Sequence, residues 1–365
     1  MKKVLIVFIT IILLSTPVYS ESITVFEEQE KNTYLPEEYI PEKIIEIFEN
    51  NGYNASEKIE VSRLLKTVVN CIRESAISYA PLFSELLCII LIISIFGRLI
   101  DNYSDIKIIS WINILSLSDV LFAVFSIATS NVIAVLESNS EILTLILPSF
   151  VSVTLIGGGT FSSTSMAASF SAVLAFLEIL LSDTVNVMVI GMGVFLAFEH
   201  ISPVLSDMNI TKSLKKYATI LLSLVTTLML TTLSFQNILT SRSDSLSART
   251  VKFAAANFIP IVGNAVGEAL RTMSSGVGYL KSTIGISSAV AVFLTVLPIL
   301  SQLIVIKLFI SFVSFLASAC SCLSERAYID GCVNVIDFLL AIIICSFVLS
   351  FFLIIAFVSL TFEAT

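Results

Sequence analysis

Residues 336–362 read IDFLLAIIICSFVLSFFLIIAFVSLTF, with a single charge, Asp337, near the start. A helix crosses the hydrocarbon of a bilayer with about 20 consecutive apolar residues, and this run is longer than that. Its apolar residues are continuous, whereas a strand of a membrane barrel alternates apolar and polar positions. The run predicts a membrane helix. Further runs of the same kind fall at 82–100, 119–137, 142–158, 165–182, 184–202, 217–238, 286–306 and 307–324. Across the chain 56% of residues are hydrophobic and 13% charged, with a mean hydropathy of +0.98. A soluble core has no use for so many such runs. The sequence predicts an all-α, polytopic helical integral membrane protein, with eight or nine crossings if every run spans. The stretch Ser287 to Leu323 is either two spans or one oblique helix kinked at Pro298.

The start of the chain reads differently. Lys2 and Lys3 form a basic n-region, Val4 to Leu14 an apolar core too short to span comfortably, and Val18-Tyr19-Ser20 a small-residue site before Glu21. This is the pattern of a cleavable signal peptide over 1–20, cut between Ser20 and Glu21; an uncleaved anchor is the alternative. Residues 21–80 then form an acidic, helical, extracytoplasmic region, with helices expected at Pro41 to Asn50 and Ser56 to about Ala80. Its glutamates supply much of the net charge of -8. That balance argues against binding nucleic acid or anionic headgroups through this piece.

Cysteines 71, 88, 320, 322, 332 and 345 lie in or beside apolar runs, where thiols behave as small hydrophobes. His200 is the one histidine and no Cys-x-x-Cys occurs, so neither a metal site nor a cofactor is expected.

Basic residues set the expected orientation. With the segment after the signal outside, the first span brings Arg98 and Lys107 to the cytoplasm, and the fifth brings Lys212, Lys215 and Lys216 there. The outer turns at Glu137 to Glu141 and Ser182-Asp183 hold no lysine or arginine, in accord with the positive-inside rule. Residues 81–240 thus hold about six runs and 286–365 two or three. Between them, 241–285 should lie outside yet contains Arg242, Arg249, Lys252, Arg271 and Lys281. It either re-enters the membrane or lies flat on it, or the count is off by one.

Ionisable groups inside apolar runs are Glu85, Asp119, Glu178, Glu199 with His200, Lys307 and Asp337. Most are read as snorkelling from span ends. Glu178 and Lys307, flanked by apolar residues, are the candidates for an intramembrane charge with a function.

Two interruptions break the lipid pattern. Gly157-Gly158-Gly159-Thr160-Phe161-Ser162-Ser163 lacks the lysine of a phosphate-binding loop. It is either a turn or a re-entrant tip whose hydroxyls line a cavity. The second interruption is RTVKFAAANFIPIVGNAVGEALR, 249–271. On a helix, Asn257, Pro260, Asn264, Glu268 and Arg271 share one stripe, while Gly263 and Gly267 share another that admits a close helix neighbour. Pro260 starts a helix well and interrupts one badly, so a helix to about Phe258, a break, and a second helix to about Ser274 are expected. These residues are candidate pore or partner contacts.

The string Val251-Lys252-Phe253-Ala254, running into Asn257-Phe258-Ile259-Pro260-Ile261-Val262-Gly263, resembles the stage III sporulation protein AE family of endospore-forming bacteria. So do the signal with its acidic region, Leu147-Pro148 before the glycine turn, and Leu297-Pro298-Ile299-Leu300. The resemblance implies a polytopic, non-enzymatic subunit of the channel or secretion-like complex between mother cell and forespore, needed for late forespore gene expression after engulfment. It implies residence in the mother-cell-derived membrane. The implied partners are other stage III A proteins, among them the AA ATPase, and stage II sporulation protein Q. It carries over no catalytic residue. The alternative is an independent secondary transporter of a small solute, with re-entrant segments at 157–168 and 249–271. An intramembrane enzyme fares worst, since the chain has neither a His-Glu-x-x-His motif nor paired intramembrane aspartates.

Overall fold

The computed structural model describes residues 61–97, 103–181, 184–201, 209–258 and 263–359, together with Ile47. No strand occurs among them. The helices are α1 (Val61–Gly97), α2 (Tyr103–Ile156), α3 (Thr160–Leu181), α4 (Thr184–Ile201), α5 (Ile210–Phe258), α6 (Gly263–Ala319) and α7 (Leu323–Val358). The signal peptide, its Ser20–Glu21 junction and the acidic region up to residue 60, Ile47 apart, lie outside the described residues.

Side-chain pairings fix the directions. Asn113 meets Glu325, Asn139 meets Ser346 and Ser350, and Phe150 stacks on Phe357, so α2 and α7 run parallel. Lys215 meets Asp337 at the start of α5, and Thr226 reaches Cys345 further along, so α5 runs the same way. Helix α6 opposes them, through Ser314 with Asp330, Lys307 with Asp337 and Phe293 with Phe347. Helix α1 follows α6, with Tyr79 bonded to Gln302 and Phe83 stacked on Phe309. Helices α3 and α4 lie one after the other along α2 and oppose it. The 157–159 turn is at the upper end of this bundle, and the 320–322 turn is at the lower end.

Among the described residues six segments are long and apolar enough to cross a membrane, counting the stretch over α3 and α4 as one. The expected turn at Glu137 to Glu141 is absent, and the runs on either side of it form the single helix α2. The reason is local: Glu-Ser-Asn-Ser-Glu holds neither glycine nor proline, so nothing forces the backbone out of the helix. The amide nitrogen at the centre of that stretch finds partners sideways, with buried Asn139 donating to Ser346 at 2.9 Å and to Ser350 at 2.8 Å, while its Oδ1 is buried without a hydrogen-bond partner among the described residues. The 286–306 and 307–324 runs likewise fall in one helix, α6, with Pro298 inside it. Helix α6 also begins at Gly263 and does not stop near Ser274.

The core is a continuous apolar cluster centred on α7, whose buried residues include Tyr328, Val335, Leu339, Ile343, Leu349 and Leu353. Small residues let the helices close on it. A side chain at Gly331 would strike Leu196, and one at Gly285 would strike Val358. At Gly193 a methyl would come within 2.8 Å of the Phe122 ring. These are the close backbone approaches on which helix packing in membranes relies.

Candidate functional site

Two clusters of charge hold the bundle together, one toward each end. At the upper end Gly158 has a φ of 83°, a left-handed conformation natural to glycine. Around it Gly159 N–H donates to the Thr154 carbonyl at 3.0 Å and Gly158 N–H to Leu155 at 2.9 Å. This closes the C-terminus of α2 in the manner of a Schellman cap. Helix α3 starts at once and leaves its first N–H groups without intrahelical partners. The Asp244 carboxylate, reaching over from α5, takes two of them: Phe161 N–H at 3.1 Å and Ser162 N–H at 2.9 Å. An anion at a helix N-terminus is favoured by both hydrogen bonding and the helix dipole. Asp244 is buried, and Lys281 of α6, buried as well, interacts with it electrostatically and lies 5.6 Å from the Phe357 ring centroid. Four helices therefore meet around one buried carboxylate and one buried ammonium group. Beneath them lies a cavity of about 10 Å³, bordered by Ser162, Ser165, Ser169 and Thr240, and room of that order suits a single water molecule.

Toward the lower end Asp337 of α7 accepts from two lysines. Lys215 of α5 donates to Oδ2 at 2.6 Å, and Lys307 of α6 donates to Oδ1 at 2.5 Å. Lys215 also donates to Asn334 at 3.0 Å. All three charged side chains are about one-fifth exposed. Nearby, Glu199 of α4 is buried and accepts the Thr211 N–H at 2.6 Å, capping α5 as Asp244 caps α3.

A family model described as stage III sporulation protein AE matches residues 43–361. The chain belongs to the stage III sporulation protein AE family. It is a multi-pass membrane protein of sporulation by that membership and by the six membrane-capable segments among its described residues. No curated protein and no solved structure matches the chain.

Within this family member the expected site residues separate into groups. Gly157, Gly158 and Gly159 form the turn between α2 and α3, while Ser162 and Ser163 are buried in the first turn of α3. Lys307 belongs to the lower triad. Glu178 is exposed one turn before the end of α3 and joins neither cluster. Asn257 lies in the last turn of α5, and Gly263, Asn264, Gly267, Glu268 and Arg271 in the first turns of α6; only their helical backbone is described. Pro260 falls between the two helices, outside the described residues.

Sequence reasoning missed Asp244, Lys281 and Lys215 as partners. Asp244 sits in Ser-Arg-Ser-Asp-Ser, and Lys215 in a lysine-rich stretch, both of which read as solvated. The signal that was present is the uncapped start of α3: three glycines and Thr160 call for a carboxylate from elsewhere.

Proposed function

We propose that this chain is a non-enzymatic subunit of the channel or secretion-like complex that links mother cell and forespore, working after engulfment. The observation that carries this reading is the distance between the two apolar ends of α2. On α2, Trp111, Leu115, Leu155 and Ile156 are all exposed. The first and last are 45 residues apart, about 68 Å along a helix rising 1.5 Å per residue. A bilayer core is about 30 Å thick, and helix tilts rarely exceed roughly 40°. One bilayer cannot cover both apolar ends, and exposed Asp119, Glu137 and Glu141 interrupt the lipid-like surface between them, so one end calls for protein cover. A subunit of a larger assembly meets that need, and a free-standing carrier does not.

The proposed partners are other stage III A proteins, with the AA ATPase as energy source, and stage II sporulation protein Q across the intermembrane space. The proposed address is the mother-cell-derived membrane, with the N-terminal region extracytoplasmic. Lys212, Lys215 and Lys216 at the lower end then face the mother-cell cytoplasm, as the positive-inside rule requires. Labelling a Ser213→Cys variant in sealed vesicles tests this orientation, and the reagent is expected to reach it from the cytoplasmic side alone.

The transporter alternative has less to build on. The 157–159 segment is a closed turn with its helix start occupied by Asp244. The cavity below it is far smaller than a solute. A clean deletion tests the proposed role: spores are expected to arrest after engulfment with a late forespore reporter silent. A normal spore yield would count against the proposal.

A further inference from the structure

We propose that the lower end of α5 is a binding surface for anionic phospholipid headgroups, built by Lys212 and Lys216. The two lysines are four residues apart, so they share one face of the helix, and both are exposed. Neither has a partner among the described residues, because the carboxylates around them are committed. Asp337 has one oxygen on Lys215 and the other on Lys307, and Glu199 is buried on the Thr211 N–H. Counting Asp207, the stretch 207–216 still carries more positive than negative charge.

The wall above the lysines fits the rest of a lipid. Tyr217, Ile220, Leu221, Leu224, Leu228 and Phe235 are exposed along α5. No charged residue occurs from 217 to 241, and the next cation is Arg242. Lys216 and Arg242 are 26 residues apart, about 39 Å along the helix axis. That matches a hydrocarbon core of about 30 Å with part of each headgroup layer. The tyrosine at the polar–apolar boundary is the usual interfacial anchor. Lys212 and Lys216 therefore stand at headgroup level with acyl chains lying along the apolar wall. The ligand is an amphiphile with an anionic phosphate, and the lipid, not free phosphate, is the source.

The test uses the purified full-length chain in detergent, with native mass spectrometry reading retained phosphatidylglycerol against phosphatidylcholine. Each lysine near a headgroup contributes roughly a factor of five in binding, so Lys212→Gln with Lys216→Gln should lower phosphatidylglycerol retention about 30-fold. Because both side chains are exposed, helicity by circular dichroism should be unchanged. Lys212→Arg with Lys216→Arg should retain the lipid. The proposal is overturned if the wild-type chain holds both lipids equally, if the glutamine pair keeps its phosphatidylglycerol, or if millimolar inorganic phosphate displaces the lipid completely.

Discussion

Asp337 is where single residues decide most, because one carboxylate holds two lysines from two other helices. Replacing it with alanine leaves Lys215 and Lys307 facing each other without their common counter-charge. An exposed pair is worth up to about 1 kcal/mol and breaking a buried one costs about 3–5. For groups one-fifth exposed, Asp337→Ala should cost about 2 kcal/mol, read as a fall in thermal stability in nanodiscs. Lys215→Met should cost less, since Lys307 keeps its partner; equal losses would show that the two pairs are not shared through Asp337. At the lower turn Ser321 has a φ of 64°, a region costing roughly 1 kcal/mol for a residue with a side chain. Ser321→Gly should therefore raise the melting temperature. Lys307 and Asp337 were visible in the sequence as lone charges in apolar runs, but their pairing was not. Residues from α5, α6 and α7 converge on that point, and no local pattern records which helices will be neighbours.

Helices are the scale at which the sequence was most legible. Continuous apolar runs predict membrane helices, and α1 to α7 contain them. Where one helix ends and another begins was less legible. The Glu137 to Glu141 stretch looked like a turn through its polarity, yet Asn139 finds its partners on α7 and the helix runs on. Polarity ends a span only when water is the sole available partner. Glycines of close approach are hard to read from spacing: among the described residues those that α4, α6 and α7 use are Gly193, Gly285 and Gly331, none of them in a Gly-x-x-x-Gly pair, while the surroundings of Gly263 and Gly267 lie outside what is described. Gly331→Leu should drive into Leu196 and cost about 1–3 kcal/mol, the usual range for overpacking; an unchanged melting temperature would mean that α4 and α7 can part freely. At the other end of the bundle, Asp244→Ala strips the N–H groups of Phe161 and Ser162 of their acceptor. A buried donor left without a partner costs about 1–3 kcal/mol. Hydrogen exchange should accelerate at those two amides first, ahead of the middle of α3.

Across the whole molecule, the apolar surfaces of α2 and α5 differ in height. The outward face of α5 carries charge-free residues from 217 to 241, a length suited to one bilayer, while α2 exposes apolar residues near both ends, Trp111 and Leu115 at one and Leu155 and Ile156 at the other, with Asp119, Glu137 and Glu141 exposed between them. Both helices belong to one packed body, so the surplus on α2 projects beyond the hydrocarbon that covers α5. Under the proposed function, that surplus is the surface on which a neighbouring subunit would sit. The most direct measurement places a photo-crosslinking residue at Leu115 and, separately, at Leu155, near opposite ends of α2, in sporulating cells. One position is expected to yield a discrete adduct with another stage III protein while the other yields lipid adducts. Lipid adducts alone at both positions would overturn the proposed role.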